Sequence, residues 1–174
     1  PELPDSYGNE RLPHVQAFIE LAVRLGGIIQ TTNPQEARER DARFRAGQPE
    51  IFHYPTPRLG PGLTHGDDPW VGQVFPQPEL IDGRLMDSAL GLHFGLLVRQ
   101  AWWASIGATE RETLQQRGVV VLDDRHPALA EWMQAQRVQA VLLRPDRYVM
   151  ALARNAIEWQ TLLENWPLIM AHHH

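Results

Sequence analysis

The chain has 174 residues, of which 43% are hydrophobic and 21% charged, a balance that is typical of a folded domain and excludes wholesale disorder. A formal net charge of −5 disfavours nucleic acid or an anionic membrane surface as a partner. The absence of cysteine excludes disulfides and thiol redox chemistry, and it fits a cytoplasmic origin. No uninterrupted apolar run approaches the ~20 residues of a membrane span.

The two ends of the chain suggest a piece of a longer protein. The polar start PELPDSYGNE has no initiator Met and no signal-peptide pattern. At the other end, residues 171–174 read Ala-His-His-His, which resembles the start of an affinity tag. We therefore leave residues 171–174 out of the functional argument.

Residues 1–46 predict a helical segment. Asp5 or Ser6 can cap a first helix that runs to about Leu25, where Gly26-Gly27 is expected to end it. Its apolar positions share one helical face and comprise Val15, Phe18, Ile19, Ala22 and Leu25. A second helix is expected at about Pro34–Arg45, with Asn33 as its N-cap. Its many charges indicate a solvated surface rather than a binding patch.

Residues 47–78 predict a long connection that is rich in proline and glycine and therefore irregular. We expect it to be held against its neighbours by large apolar side chains, namely Phe52, Tyr54, Leu59, Trp70 and Phe75. His53 and His65 lie here near Asp67 and Asp68, so a metal site is conceivable. Their spacing matches no standard ligand pattern, and we predict no metal site.

Residues 79–170 predict a small α/β domain. Its elements are a short helix or turn at Gly83–Leu90, buried strands at Phe94–Val98 and Val119–Leu122, a helix at Thr109–Arg117 with Thr109 as N-cap, a helix from His126-Pro127 to about Gln136, a hairpin of Ala140–Leu143 and Tyr148–Leu152, and a last helix at Ala156–Asn165. The hairpin arms are nearly all apolar, which favours a sheet buried on both faces. The order β-α-β-α-β-β-α predicts a thioredoxin-like plan.

The residues with catalytic side chains form no recognisable active site. Where a Cys-x-x-Cys would follow the first strand stands Ala101-Trp102-Trp103-Ala104-Ser105, so the domain is expected to be redox-inactive. No phosphate-binding loop, dinucleotide-binding glycine pattern or G-x-S-x-G motif occurs. Ser88 and Ser105 show no recognisable arrangement with histidine and aspartate.

Four other candidates have a simpler structural interpretation. Asp123-Asp124 and Asp67-Asp68 are adjacent acids that we expect to point apart into solvent. His126 is expected to open a helix rather than to catalyse. Trp102 and Trp103 can form either a partner-binding platform or part of a core, and the sequence leaves both possibilities open.

Four short motifs, in order along the chain, resemble flavin-dependent aromatic-ring monooxygenases. They are Asp5-Ser6-Tyr7-Gly8-Asn9-Glu10-Arg11-Leu12-Pro13-His14-Val15, Gly72-Gln73-Val74-Phe75-Pro76-Gln77-Pro78, Gly83-Arg84-Leu85-Met86-Asp87 with Gly91-Leu92-His93-Phe94, and Leu143-Arg144-Pro145-Asp146-Arg147-Tyr148-Val149. Together they span nearly the whole chain and are most similar to the 3-(3-hydroxyphenyl)propionate hydroxylase group.

The resemblance implies the C-terminal portion of a hydroxylase that uses FAD, NAD(P)H and O2 to hydroxylate a phenolic ring. Residues 1–46 would then be the last helices of its catalytic part, and residues 79–170 its thioredoxin-like C-terminal domain. The remainder of the flavoprotein would then be the partner, and homo-oligomerisation is a further possibility. The motifs that hold FAD in this family lie upstream, so the resemblance assigns no catalytic, cofactor-binding or metal-binding residue to this chain. Tyr7, Glu10 and Arg11 are expected to anchor a helix.

Three interpretations follow from the sequence. The first is a hydroxylase fragment with a structural or oligomerisation role, whose first helix has lost its partner and which therefore self-associates or dissolves poorly. The second is a stand-alone, redox-inactive thioredoxin-like module for binding or dimerisation. The third is a small metal-binding protein built on His53, His65 and Asp67.

Overall fold

The computed structural model of the chain describes residues 3–47 and 56–164. The chain divides into two compact units, residues 1–62 and 63–174, so that the division falls within the predicted connection. Each unit is described by itself.

The first unit contains two helices, α1 (Leu3–Ile29) and α2 (Pro34–Arg45). The predicted start of α2 is confirmed, because the side chain of Asn33 accepts a hydrogen bond from the Gln35 N–H at 2.9 Å and Pro34 occupies the first turn. Among the described residues of this unit, only Ser6, Glu10 and Leu59 are buried. The unit thus has two helices but no hydrophobic core of its own within the described part.

Both predicted ends of the first helix are wrong. The helix begins before Asp5 and Ser6, and it continues through Gly26-Gly27 to Ile29. The last turn is stabilised by tertiary contact, since the Arg40 Nη1 donates to the Ile28 carbonyl at 2.7 Å. A hydrogen bond between these two helices thus outweighs the low helix propensity of two glycines.

One stretch of α1, Ser6–Ile29, is long and apolar enough to cross a membrane by length and composition alone, with a mean hydropathy of 1.3. A core helix of a larger soluble protein passes the same test, so this is weak evidence for a span.

The second unit is built on a four-stranded sheet in the order β2-β1-β3-β4. The strands are β1 (Gly95–Val98), β2 (Val120–Asp123), β3 (Ala140–Leu143) and β4 (Val149–Ala153). β1 is parallel to β2 and antiparallel to β3, and β3 is antiparallel to β4. The predicted hairpin is therefore confirmed. β2 was predicted to be buried, but its four residues are only half-buried because it lies at the edge of the sheet.

Helices cover both faces of this sheet. They are α3 (Met86–Leu90), α4 (Gln100–Ser105), α5 (Ala108–Gln116), α6 (Pro127–Ala135) and α7 (Ala156–Glu164). One hydrophobic cluster includes Leu97, Leu129, Met133 and Val141, and the other includes Leu96, Leu114, Leu142 and Trp159. The prediction of Thr109 as N-cap is wrong, since α5 already begins at Ala108 and Gly107 precedes it.

The described part of the predicted connection closes the outer edge of β4. The Gly72 N–H donates to the Val149 carbonyl at 2.8 Å, and the Phe75 N–H donates to the Arg147 carbonyl at 2.9 Å. Phe75 is buried in the first cluster and Trp70 packs against it, as predicted. Leu59 is buried within the first unit, whereas Phe52, His53 and Tyr54 lie outside the described residues.

Candidate functional site

A cavity lies in the second unit, lined by residues of the segment 65–71, β4 and α7. Its volume is about 320 Å³. Its lining combines apolar residues such as Leu152 and Leu162 with the polar residues His65, Asp67 and Glu158. Within the cavity wall, Asp68 and Arg154 form an ion pair, and the Asp68 Oδ1 accepts from the Trp70 N–H at 2.8 Å. We refer to it as the β4 pocket.

The structure places His65 and Asp67 together at the β4 pocket, but it provides no metal centre there. Among the described residues, no group of three or more histidine, aspartate or glutamate side chains is arranged to hold a metal ion. Asp68 is an ion-pair partner of Arg154, so its charge is already balanced. His53 lies outside the described residues.

The position of the missing Cys-x-x-Cys is the start of α4, directly after β1. There the Gln100 N–H donates to the Asp124 Oδ1 at 2.9 Å, so that a carboxylate lies at the first turn of α4. Trp102 and Trp103 are half-buried and pack against the second hydrophobic cluster. The Ser105 Oγ donates to the Trp102 carbonyl at 2.7 Å. The tryptophans thus contribute to packing, and the serine hydroxyl stabilises its own helix.

The adjacent acids Asp123 and Asp124 have different partners, as expected for side chains that point apart. The prediction that such acids lie in solvent is wrong for Asp123 and Asp68, whose side chains are each 14% exposed because each pairs with an arginine. Asp123 pairs with Arg125 at 2.8 Å, and the hydrogen bond from the Arg125 side chain is the main reason why the pKa of Asp123 is lowered, although burial opposes this effect. The same ion pair raises the pKa of Arg125. This loop therefore holds a compensated charge pair rather than two free carboxylates.

His126 is the N-cap of α6, as the sequence predicts for a residue that opens a helix. Its Nδ1 accepts a hydrogen bond from the Ile81 N–H at 3.2 Å, which ties the turn at residues 79–85 to α6. This contact gives the imidazole a structural role.

The turn of the β3–β4 hairpin contains an arginine whose importance the sequence analysis missed. Arg147 has a positive φ of 67° and its side chain is 12% exposed. Its Nε donates to the Asp87 Oδ1 at 2.6 Å. Its terminal nitrogens donate to main-chain carbonyls, which are those of Asp87, Gly91, His93 and Pro145.

These acceptors place the Arg147 guanidinium at the C-terminal end of α3, where main-chain carbonyls favour a cation. The side chain therefore joins the hairpin turn to α3. The signal that could have identified it is the Arg-Pro-Asp-Arg run itself, because a planar guanidinium is suited to several oxygen acceptors at once.

The helix motif at the start of the chain also has a packing explanation. Glu10 is 1% exposed, and the Gly60 N–H donates to its main-chain carbonyl at 2.8 Å. A Cβ at Gly60 would collide with the Asn9 carbonyl oxygen, and a Cβ at Gly62 would collide with the Glu10 side chain. Residues 59–62 thus lie directly on α1. At Gly60 the obstructing atom belongs to the helix backbone, so glycine is required there, whereas at Gly62 the Glu10 side chain would have to move.

Curated relatives extend well beyond this chain. The chain is 30% identical to a 3-(3-hydroxy-phenyl)propionate/3-hydroxycinnamic acid hydroxylase of Mycolicibacterium smegmatis (strain ATCC 700084 / mc(2)155), with 92% of this chain and 36% of that protein covered. It is 28% identical to the protein of the same name from Burkholderia cenocepacia (strain HI2424), with 84% and 34% covered. The chain thus spans about a third of the length of these relatives.

Solved structures show a similar fold. The OxyS anhydrotetracycline hydroxylase from Streptomyces rimosus matches with a TM-score of 0.60 at 19% identity, over 95% of this chain and 35% of that one. RebC soaked with K252c matches with a TM-score of 0.57 at 18% identity, over 89% and 34%.

The family model of the HcaD C-terminal domain matches residues 72–164, which is more than half of the chain. These residues include the whole sheet and helices α3–α7. The chain therefore belongs to the HcaD C-terminal domain family.

Proposed function

We propose that this chain is the C-terminal portion of an FAD-dependent aromatic hydroxylase, which inserts one oxygen atom of O2 into a phenolic substrate at the expense of NAD(P)H. The observation that carries this proposal is the continuity of the alignment: 92% of the chain matches one third of a named hydroxylase, across both units. A shared terminal domain alone would align only over the second unit. We further propose that the parent enzyme is cytoplasmic.

The role that we propose for residues 63–164 is structural, as a redox-inactive thioredoxin-like domain. The strand order β2-β1-β3-β4, with β1 parallel to β2 and the hairpin antiparallel, supports this assignment. The chain has no cysteine, and the Asp124 carboxylate accepts the hydrogen bond of the Gln100 N–H in the first turn of α4, where a thiolate would lie in a redox-active domain of this kind. Oligomerisation of the parent through this domain is part of the proposal.

We propose that no residue of this chain is catalytic or binds a cofactor or a metal ion. The sequence lacks a dinucleotide-binding glycine pattern. The β4 pocket is lined by three acids, Asp67, Asp68 and Glu158, against one arginine, Arg154, which already pairs with Asp68, so its charge does not favour a pyrophosphate. Flavin and nicotinamide would have to be held by the part of the parent that this chain does not include.

A second candidate function is a stand-alone module for binding or dimerisation. It is favoured by the two hydrophobic clusters, which both lie within residues 63–174 and allow that unit to fold by itself. The two proposed functions differ in whether the reading frame extends far upstream of the Pro1 codon.

The test is to sequence the source DNA upstream of the Pro1 codon and to express the complete reading frame. The proposal expects several hundred upstream codons that encode a strand–GxGxxG–helix unit, and a purified product that contains FAD. It also expects NAD(P)H oxidation that depends on an added phenolic acid, with formation of a hydroxylated product. A start codon directly before Pro1 would leave the binding module as the better account.

A further inference from the structure

We infer that one face of α1 is the docking surface for a helix in the catalytic part of the parent flavoprotein. This inference rests on the proposed function and names the partner of a specific surface. The face follows a strict alternation of three- and four-residue steps and comprises Gly8, Leu12, Val15, Ile19, Ala22, Gly26 and Ile29. We call these seven residues the α1 seam.

The spacing and the exposure of the α1 seam point to a missing helical partner. A repeat of 3.5 residues keeps side chains on one line along a helix and suits packing against a second helix. The four large apolar side chains of the seam are all exposed: Leu12 by 72%, Val15 by 46%, Ile19 by 56% and Ile29 by 78%. Leaving an apolar line of three heptads in contact with water is energetically unfavourable, so another element is expected to cover it.

The glycines give an independent indication that the partner comes close. Glycine inside a helix destabilises the helix relative to alanine, so a glycine at such a position calls for a structural reason. A Cβ at Gly8 or Gly26 would meet no described atom within 4 Å, so packing inside the described chain does not require glycine there. Close approach of another backbone along the seam would supply that reason.

A second copy of this chain is a poorer occupant. Three of the seven seam positions are glycine or alanine, which bury little apolar surface in a symmetric pair. The flanking positions on each side, such as Gln16 and Phe18, offer no pairs of opposite charge. Stable interfaces between separate proteins involve roughly 20–30 residues a side. A surface within the same chain requires less, because covalent connection removes most of the entropy cost of association.

A lipid bilayer is also a poorer occupant. The opposite side of α1 is in use, since residues 59–62 lie on it and the Gly60 N–H donates to the Glu10 carbonyl. Glu10 is 1% exposed, and Arg40 holds the Ile28 carbonyl at the other end. A spanning helix would have to give up these contacts and transfer Glu10 and Arg11 into hydrocarbon.

The experiment compares two neighbouring glycines in the complete parent enzyme. Gly26→Leu changes the α1 seam, whereas Gly27→Leu makes the same change one residue away and off the seam, where a Cβ would likewise meet no described atom within 4 Å. Leucine favours helix over glycine at both positions, so local propensity cannot explain a difference. Ile19→Glu is a second seam variant that places a charge on the surface.

We expect Gly26→Leu and Ile19→Glu to lower the apparent Tm of the parent by roughly 4 °C or more and to reduce the FAD retained on gel filtration. Gly27→Leu should match the wild type in both measurements. Equal behaviour of Gly26→Leu and Gly27→Leu, in a parent that contains FAD and hydroxylates, would overturn the docking surface and leave the proposed function intact.

Two further outcomes would also overturn it. In one, the seam variants convert a dimeric parent into a folded, flavin-loaded monomer, which would make a second copy the occupant. In the other, they abolish binding of the parent to phosphatidylglycerol vesicles without changing its Tm, which would make a membrane the occupant. A wild-type parent without flavin would contradict the proposed function, and the Tm comparison would still test the surface.

Discussion

At the scale of single residues, Arg147 makes the most concentrated set of contacts in the hairpin turn. It adopts a positive φ, which is unfavourable for a side chain with a Cβ, and its guanidinium reaches the carbonyls at the end of α3. The contacts therefore compensate a local backbone cost. Lysine retains the charge and the backbone cost but cannot reach several acceptors with one planar group.

We expect Arg147→Lys to lower the free energy of unfolding by about 1–3 kcal/mol, because the charge-assisted hydrogen bonds of a mostly buried guanidinium to a half-exposed carboxylate and several carbonyls are lost. The shift of the urea midpoint measures this. Arg84→Lys is the control, since the Arg84–Asp82 pair is exposed and should leave the midpoint unchanged. Equal urea midpoints for Arg147→Lys and Arg84→Lys would show that the contacts of Arg147 do not stabilise the fold.

The ion pair of Asp123 predicts a dependence of stability on pH. The pKa of Asp123 is lowered chiefly by the hydrogen bond from Arg125, so the folded state binds its proton more weakly than the unfolded state does. The pair therefore stabilises the fold above the unfolded pKa of about 3.9, and this contribution is lost as the pH falls through the lower, folded value.

Asp123→Asn should consequently be less stable than the wild type at pH 6, and the difference should close as the pH approaches 2.5. Urea unfolding across this range measures it, with Glu112→Gln on the exposed side of α5 as a control that tracks the wild type. A constant difference between Asp123→Asn and the wild type would contradict the assignment.

At the scale of elements, the loop at residues 59–62 is positioned on α1 by two glycines. The Cβ of an alanine at position 60 would collide with the Asn9 carbonyl oxygen, which belongs to the helix backbone and cannot move independently. The close approach also allows the hydrogen bond from the Gly60 N–H to Glu10.

Gly60→Ala should therefore loosen the loop from α1, at a cost of about 1–3 kcal/mol. Faster amide hydrogen exchange in the first turns of α1 and a new protease cleavage site near residue 60 would report this. Gly27→Ala is the matched control, because position 27 lies off the α1 seam, a Cβ there meets no described atom within 4 Å and alanine favours helix. Equal exchange in both variants would argue against a close approach.

At the scale of the molecule, hydrophobic burial is unevenly distributed. Both hydrophobic clusters lie on the sheet of the second unit, whereas the described part of the first unit buries only Ser6, Glu10 and Leu59. Cooperative stability follows buried apolar surface, so it should reside in residues 63–174.

We expect a chain of residues 63–174 alone to unfold with the urea midpoint of the complete chain. In the complete chain, the slowest-exchanging amides should belong to β1, β3 and β4, and those of α2 should exchange quickly. Exchange followed by mass spectrometry separates these segments. A lower midpoint for the shortened chain would show that the first unit contributes to the core.

The sequence by itself determined the strands and most of the helices of the second unit, though not α4, and it determined the absence of thiol chemistry. The hairpin, α2 with its Asn33 cap, and the start of α6 at His126-Pro127 were predictable because they depend on local turn chemistry and on apolar periodicity. The absence of thiol chemistry follows from composition, since no arrangement of the chain can replace a missing cysteine. The order of motifs also indicated the hydroxylase family.

Only the tertiary structure decided where α1 ends, how deeply β2 is buried and what Arg147 contacts. Each of these depends on residues far away in the chain: Arg40 stabilises the turn after Gly26-Gly27, the position of β2 at the sheet edge leaves it half-exposed, and α3 supplies the acceptors for Arg147. Local propensities are weak compared with such contacts, so a pattern of neighbouring residues cannot contain this information. Which face of α1 remains exposed was likewise decided by the tertiary structure, because exposure is a property of the folded molecule.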